Sequence, residues 1–192
     1  MKRLGNLFFL AGCLLILGSF ALFAASQLQA NRAAAAAAEL AVQLESLLPP
    51  RTPGITGSYA NPEMPALELS GQDFIGVVQI PTFQRSLPIG KDWNARKTDE
   101  FPRRFWGSVY DGSLILGGSS QKGQFDFISQ IQTGDRIFVT DMTGTQFSYV
   151  VENIRRSKSA QADTLLDETA DLTLFARESN SLDYIIVRCV AG

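Results

Sequence analysis

The sequence predicts a mainly β domain, a closed barrel or a sandwich, that follows an N-terminal membrane helix. Two observations lead to this fold class. The first is a stretch without charged residues between Leu4 and Asn31, which is long enough to cross a bilayer. The second is a series of short β-prone segments separated by Gly, Pro, Asn and Asp, which begins at Asp73.

The membrane anchor is predicted over residues 1–32. Leu7 to Ala25 is almost continuously apolar, and about 20 such residues span a bilayer core. Lys2 and Arg3 precede this run, which predicts a cytoplasmic N-terminus, a single pass through the plasma membrane and a folded domain outside it. A cleaved signal peptide is the alternative, although its apolar region normally covers only about 7–15 residues.

The segment Leu10-Ala11-Gly12-Cys13 also has the form of a bacterial lipoprotein box. A lipidation signal carries its apolar region before the cysteine, whereas here the apolar run continues after it. We therefore interpret Cys13 as a small residue inside the membrane helix, and we expect the helix to be retained as an anchor.

A helical spacer and a Pro/Gly-rich tether are predicted over residues 33–60. Ala33 to Leu48 is rich in alanine, and its leucines recur at helical spacing, so this stripe either docks on the domain or pairs with a neighbouring chain. Pro49-Pro50 ends the helix, and the prolines and glycines that follow predict a flexible tether that holds the folded part away from the lipid.

The folded domain is predicted over residues 61–192. A hairpin is expected at Asp141-Met142-Thr143-Gly144, where glycine supplies a positive φ, and a short helical turn is expected from Phe125 to Ile131. The predicted strands are Phe74–Ile80, Leu87–Ile89, Ser113–Leu116, Asp135–Asp141, Gln146–Ile154, Leu172–Arg177 and Tyr184–Ala191.

Composition argues against nucleic acid as a partner. The chain has 17 Lys+Arg against 19 Asp+Glu, a formal net charge of −2, and no basic run with interleaved aromatic residues. We interpret the short basic cluster from Arg155 to Lys158 as a solvated loop. The acidic residues lie scattered in turns without metal-ligand spacing, so we expect no metal and no cofactor.

The chain contains no histidine. This excludes a histidine-activated Cys or Ser, a histidine metal site and a histidine proton shuttle. The two cysteines, Cys13 and Cys189, lie far apart in the sequence, and the first is inside the apolar stretch. An intramolecular disulfide is therefore not expected.

A series of motifs in residues 61–192 resembles the sortase domain, in particular the class B-like form of clostridial Gram-positive bacteria. The resemblance implies a closed eight-stranded β-barrel with short helices. It also implies a membrane-anchored cysteine transpeptidase that transfers a sorting-signal peptide to a cell-wall or pilin amine. The motifs, in order, are Asn61-Pro-Glu-Met-Pro65, Phe74-Ile-Gly-Val-Val-Gln-Ile-Pro81, Leu87-Pro-Ile-Gly90, Trp106-Gly-Ser108, Leu114-Ile-Leu-Gly-Gly118, Gly134-Asp135, Asp171-Leu-Thr-Leu-Phe175 and Ile186-Val-Arg-Cys189.

Sortases use a Cys nucleophile, a His acid/base and an Arg that stabilises the acyl oxygen. Following the motifs residue by residue, Ser119 stands at the position of the family His and Arg177 at that of the Cys. Tyr184 stands at the position of the family Arg. All three catalytic positions are substituted, so the resemblance implies that ordinary sortase catalysis is lost.

Cys189 is an alternative nucleophile because it is the only thiol in the domain. Side chains along a strand alternate between faces, so Tyr184, Ile186 and Arg188 share one face and Cys189 takes the other. We therefore interpret Cys189 as a small buried core residue.

Ser119 is a second alternative nucleophile, with Lys122 as its base. Chemistry of this kind needs a buried, desolvated lysine. The run Gly117-Gly118-Ser119-Ser120 is more simply explained as a turn after a strand, and it lacks the context of a phosphate-binding loop.

Arg177 suggests a different use of the site. A guanidinium is a good fixed partner for a carboxylate. A groove formed by Ser119, Ser120, Arg177 and Tyr184 is therefore predicted to hold a peptide, or its carboxy terminus, without cutting it. The alternative is that Arg177 simply pairs with a nearby acid such as Asp171 or Glu178.

Three functions stay open at this stage. The first is a membrane-anchored, inactive sortase-like protein that binds a sorting-signal peptide or an active sortase during surface-protein or pilus assembly. The second is an active transpeptidase or hydrolase with an altered site at Cys189 or Ser119. The third is a non-enzymatic module outside the membrane that binds envelope glycan or precursor, for which the aromatic residues between Trp93 and Trp106 are candidates.

Overall fold

The computed structural model describes residues 2–57, 59–166, 169–178 and 181–192; Met1 of the predicted anchor and Ser58 of the predicted tether lie outside these ranges. Within them a long helix precedes ten strands. The elements are α1 (Lys2–Leu47), β1 (Thr52–Pro53), β2 (Leu67–Leu69), β3 (Gln72–Ile80), the 3₁₀ helix η1 (Pro81–Phe83), β4 (Arg85–Gly90), β5 (Arg103–Trp106), β6 (Leu114–Gly118), β7 (Arg136–Asp141), β8 (Thr145–Ser157), α2 (Ala162–Leu165), β9 (Leu172–Arg177) and β10 (Tyr184–Ala191).

Eight of these strands close into a barrel. Around the ring the order is β3-β7-β8-β10-β9-β6-β5-β4, and β4 returns to β3. Neighbouring strands are antiparallel except for the parallel pairs β4–β5 and β6–β9. The closed eight-stranded barrel that the sequence predicts is therefore confirmed. Strands β1 and β2 lie outside the ring and pair with β8 and β3.

Strands β3, β6 and β9 are buried on both faces. Their inner faces form the barrel core, while a second apolar layer covers the outer faces. On β3 this layer includes Leu44 of α1, and on β6, β9 and β10 it includes Leu165 of α2. Double burial explains why the sequence shows near-continuous apolar runs here instead of strict alternation.

The strands predicted from the sequence are all present, with small shifts at their ends. The hairpin at Asp141 joins β7 to β8, and Gly144 has the expected positive φ of 82°. Strands β1, β2 and β5 were not predicted, because they are only two to four residues long and are defined by their partners. The loop predicted from Arg155 to Lys158 is wrong as far as Ser157, since β8 continues to that residue and pairs with β10.

Helix α1 packs against the outside of the barrel along one stripe. Ala37, Ala41 and Leu44 are buried at helical spacing, and Leu44 joins a cluster with Phe74 on β3. Further towards the apolar N-terminal part of α1, Gly123 lies so close to Ala34 that a Cβ at position 123 would collide with that alanine. The alanine-rich sequence therefore permits close approach of the helix to the barrel.

A half-buried polar contact fixes the end of this helix. One oxygen of Glu45, Oε1, accepts hydrogen bonds from Gln79 Nε2 and Ser86 Oγ, each at 2.7 Å. Gln79 lies on β3 and Ser86 on β4, so the carboxylate bridges the two strands that carry the helix. The sequence left two roles open for the leucine stripe, docking on the domain or pairing with a neighbouring chain. In the structure the stripe docks on the domain.

The Pro/Gly-rich segment after α1 lies along the barrel. Thr52 N donates to Gly144 O at 3.0 Å, and β1 pairs with β8. The ring of Tyr59 packs on that of Tyr110 with centroids 4.3 Å apart. The expectation of a flexible tether therefore differs from the structure, in which the described part of this segment is bound to the barrel surface.

The docking of α1 predicts different effects for two neighbouring leucines. Leu44→Ala removes a fully buried side chain and should lower the free energy of unfolding by about 2–5 kcal/mol. Leu47→Ala is the control, because Leu47 is 58% exposed and should change stability by less than about 0.5 kcal/mol. Denaturant unfolding of the full chain in detergent, followed by tryptophan fluorescence, measures both; equal effects would contradict the docked helix.

Candidate functional site

A cavity of about 1070 Å³ opens on the outer side of the barrel, where β6 and β9 end and β10 begins. Its lining includes all four residues of the groove predicted from the sequence: Ser119, Ser120, Arg177 and Tyr184. Positions that are far apart in the chain therefore meet in one cavity.

The register of three strands brings these positions together. Arg177 on β9 lies directly opposite Tyr184 on β10, a geometry in which the Cβ atoms are about 5 Å apart. Strand β6 runs parallel to β9 with Gly118 beside Ala176, so Ser119 follows at the level of Arg177. The side chains of Arg177 and Phe175 point to the same outer face because they are two residues apart.

Three aromatic rings form one wall of the cavity. Trp93 and Phe105 lie in T-shaped contact with centroids 5.1 Å apart, and Phe175 lies 5.6 Å from the first and 5.5 Å from the second. These rings pack over Gly117, where a Cβ would collide with both Trp93 and Phe175. Trp93 remains 37% exposed, so part of its ring faces the cavity.

The sequence indicated this wall only in part. The aromatic segment from Trp93 to Trp106 was a candidate binding surface, but only part of it lines this cavity. Phe101 is in the core, and Trp106 is 60% exposed outside this cavity. Phe175 was missed. Its position two residues before Arg177 on a predicted strand was the signal that could have found it.

The guanidinium of Arg177 is exposed at the cavity and makes no ion pair or hydrogen bond within the part of the chain that the structure describes. The neighbouring acid Glu178 is engaged by Arg156, with Arg156 Nη2 3.3 Å from Glu178 Oε1. Asp171 accepts a hydrogen bond from Ala191 N at 2.7 Å. The ion pair considered from the sequence is therefore absent, and the guanidinium is available to a ligand.

The serine at the position of the family histidine forms a turn. Ser119 O accepts from Phe125 N at 2.9 Å, and Ser119 Oγ accepts from Gln121 N at 3.3 Å. Lys122, the base considered for it, is exposed and lies against α1 outside the cavity. Among the described residues the lining has no lysine, thiol or imidazole, and no group of three or more acids, cysteines or histidines could hold a metal ion.

Cys189 lies on the other face of β10, inside the barrel. It is fully buried, belongs to the main core cluster and is opposite Leu172 of β9. Desolvation in this apolar surrounding raises the pKa of the thiol to about 12. At neutral pH Cys189 is therefore an uncharged thiol that does not face the cavity.

Solved structures that match this architecture are sortases. A sortase C of Clostridium perfringens, solved with the C-terminal cell wall sorting motif, matches with a TM-score of 0.54 and 17% identity over 63% of this chain and 71% of that chain. A lid mutant of sortase A from Corynebacterium diphtheriae matches with a TM-score of 0.55 and 21% identity, over 63% of this chain and 71% of that chain. A sortase C1 of Streptococcus agalactiae matches with a TM-score of 0.55 and 18% identity, over 65% of this chain and 70% of that chain.

The chain has the sortase fold. No protein-family model and no curated protein sequence matches it. The three related structures are class A and class C sortases, so the class B-like character that the motifs suggested stays a prediction. In this sortase fold, the cavity lies at the positions that the motif comparison assigned to catalysis.

The burial of Cys189 predicts its reactivity. In a Cys13→Ser variant, a maleimide at neutral pH should leave the native protein unlabelled and should label Cys189 after unfolding in denaturant, because the buried thiol is protonated and inaccessible. Mass spectrometry measures the modification, and Cys13→Ser/Cys189→Ala is the blank. Rapid labelling of the native protein would indicate an accessible thiolate and support a cysteine nucleophile.

Proposed function

We propose that this protein is a membrane-anchored, catalytically inactive sortase-fold protein that binds a peptide carboxylate in the cavity around Arg177. One observation carries the proposal: a guanidinium without a partner among the described residues stands at the position that the motif comparison gives to the nucleophile. The same group that makes attack on a carbonyl impossible is well suited to bind an anion.

Acyl transfer needs a nucleophile, a proton acceptor and a donor for the oxyanion. The titratable groups in the described lining are Asp99, Arg177, Glu178 and Tyr184. None of them is a thiol or an activated hydroxyl beside a base, and Ser119 Oγ is turned into its own loop. We therefore expect binding without bond cleavage.

The lining favours a peptide end with an apolar side chain. Arg177 offers planar donors for two carboxylate oxygens. The wall of Trp93, Phe105 and Phe175 offers an aromatic surface on the same side of the barrel. A related sortase was solved with a C-terminal cell wall sorting motif, which supports a peptide as the class of ligand.

The setting that we propose is the outer side of the plasma membrane. The described part of α1 is long and apolar enough to span a membrane. Lys2 and Arg3 favour a cytoplasmic N-terminus and place the barrel outside. In that location the ligand is a sorting-signal peptide or a segment of an active sortase, and the protein acts as a binding partner in surface-protein or pilus assembly.

The proposal predicts dependence on both Arg177 and the peptide carboxylate. The probe is a set of fluorescent hexapeptides with apolar last residues, prepared as free acids and as amides, and binding to the full chain in detergent is followed by anisotropy. Arg177→Gln should weaken binding of the free acids about tenfold, since a hydrogen bond to a charged group contributes about 1.5–3 kcal/mol when shielded and less at an exposed rim.

The matched control is Arg155→Gln, which removes an exposed arginine of β8 outside the cavity and should leave binding unchanged. The amides should bind the unsubstituted protein as weakly as the acids bind Arg177→Gln. The proposal is wrong if acids and amides bind equally. It is also wrong if mass spectrometry detects an acyl-enzyme, or transfer of a sorting peptide to an added amine above the blank.

A further inference from the structure

A second surface lies at the end of the barrel where α1 arrives from its apolar segment. We name it the basal surface and define it by residues 81–85, 119–123 and 132–136. These segments adjoin one another: Thr82 Oγ1 donates to Asp135 at 3.0 Å, and Arg85 lines a small cavity together with Lys122 and Ala34 of α1. Ser119 and Gln121 of the middle segment also line the peptide cavity, so the two sites share a loop.

The helix fixes how far the basal surface is from the end of the apolar run. Helix α1 is continuous from Lys2 to Leu47, and Gly123 abuts Ala34. The apolar run ends at Ala25, and nine residues of helix correspond to about 13 Å. The headgroup region on one side of the bilayer extends about 5–8 Å beyond the apolar core. On an upright helix the contact of Gly123 with Ala34 therefore lies roughly 6–8 Å above the headgroups, a gap that a long basic side chain such as that of Lys122 can bridge.

Three exposed basic side chains lie on or beside this surface. Arg32, at the helix end of the surface, is exposed, as are Lys122 and Arg136, and none of the three has an ion pair among the residues that the structure describes. The whole chain, by contrast, carries a net charge of −2.

The acids on the basal surface are engaged within the protein. Asp126, beside the middle segment, accepts from both Nε and Nη2 of Arg85 at 3.2 and 2.8 Å, and from Gly123 N at 3.1 Å. Asp135 accepts from Thr82 Oγ1 and, at 2.8 Å, from Gln132 N. Hydrogen bonding leaves the charge of Asp135 in place, but the basic residues outnumber the acids by four to two, so the surface has an excess of positive charge that complements an anionic lipid surface; the charged residues are Arg32, Arg85, Lys122 and Arg136 against Asp126 and Asp135.

We propose that the basal surface rests on anionic lipid headgroups and holds the peptide cavity at the level of the membrane. The inference depends on the membrane anchoring of α1 proposed above, but not on peptide binding. In this arrangement the barrel rests on the lipid surface, whereas the sequence predicted a flexible tether that holds it away from the lipid.

Three labelling positions in the full chain test this arrangement. The chain is reconstituted in nanodiscs of phosphatidylcholine with or without phosphatidylglycerol, and each protein carries one environment-sensitive fluorophore on a cysteine. The native Cys13 reports insertion of α1. In a Cys13→Ser background, Lys122→Cys reports the basal surface, and Glu68→Cys is the matched control, because Glu68 is an exposed residue of β2 near the level of Leu44.

Quenching by nitroxide lipids then measures how close each labelled position lies to the headgroups or the acyl chains. Acyl-chain nitroxide should quench the label at Cys13. Headgroup nitroxide should quench the label at position 122 at least about twofold and leave position 68 unchanged, because about 15 Å of helix separates Ala34 from Leu44. Quenching at position 122 should be stronger in discs that contain phosphatidylglycerol.

Quenching at Cys13 with equal quenching at positions 122 and 68 would overturn the seated barrel while the anchor stands. Absence of quenching at Cys13 would overturn the inference together with the anchor. Quenching at position 122 that does not respond to phosphatidylglycerol would overturn the selectivity for anionic lipid. None of these outcomes affects the carboxylate dependence of peptide binding, so the two proposals fail separately.

Discussion

Closure of the barrel by β7 is the constraint on which the rest of the structure depends. This strand pairs with β3 on one side and β8 on the other, and without it the sheet would have two open edges. Its last residue, Asp141, is fully buried, and Oδ1 accepts from Thr143 N at 2.8 Å and Thr145 N at 2.9 Å, which closes the hairpin to β8. The other oxygen accepts from Tyr110 Oη at 2.6 Å. Burial, with the nearby carboxylate, raises the pKa of Tyr110, so the hydroxyl remains a donor.

The closed ring fixes the register of β6, β9 and β10, and this register creates the cavity. The parallel pair β6–β9 and the antiparallel pair β9–β10 align their ends irrespective of which side chains occupy them. A barrel of this kind retains its cavity when the reactive side chains change, because the backbone pairing and the inner core carry the stability. Ser119, Arg177 and Tyr184 lie at these aligned strand ends, whereas Cys189 belongs to the core beneath them.

Much of the fold could be predicted from the sequence, because the barrel strands are apolar runs bounded by turn residues. The positions in the cavity followed from motif order, since each motif is anchored to one strand end. The aromatic wall did not follow, because Trp93 comes from a loop whose path depends on packing over Gly117. The absence of an ion pair between Arg177 and Glu178 was equally unpredictable, because it depends on Arg156, two strands away, engaging Glu178.

The docking of α1 shows a second limit of sequence reasoning. A stripe of alanine and leucine fits a barrel face as well as another helix. Contacts in the folded structure distinguish the two, among them those of Leu44 with Phe74 and of Glu45 with Gln79. The tether was misjudged for a related reason. Proline and glycine indicate that a segment is not helical, but they do not exclude hydrogen bonds from its backbone to a neighbouring strand.

The unbroken helix from Lys2 to Leu47 has a mechanical consequence. A domain on a flexible arm samples a hemisphere of positions and can capture ligands at varying heights above the bilayer. A domain clamped to a continuous helix moves only as the helix tilts, rotates about its axis or drifts in the plane. With α1 anchored in a bilayer as proposed, encounters with a membrane-bound partner are collisions in two dimensions between bodies of fixed height, and bilayer thickness sets which part of that partner comes within reach.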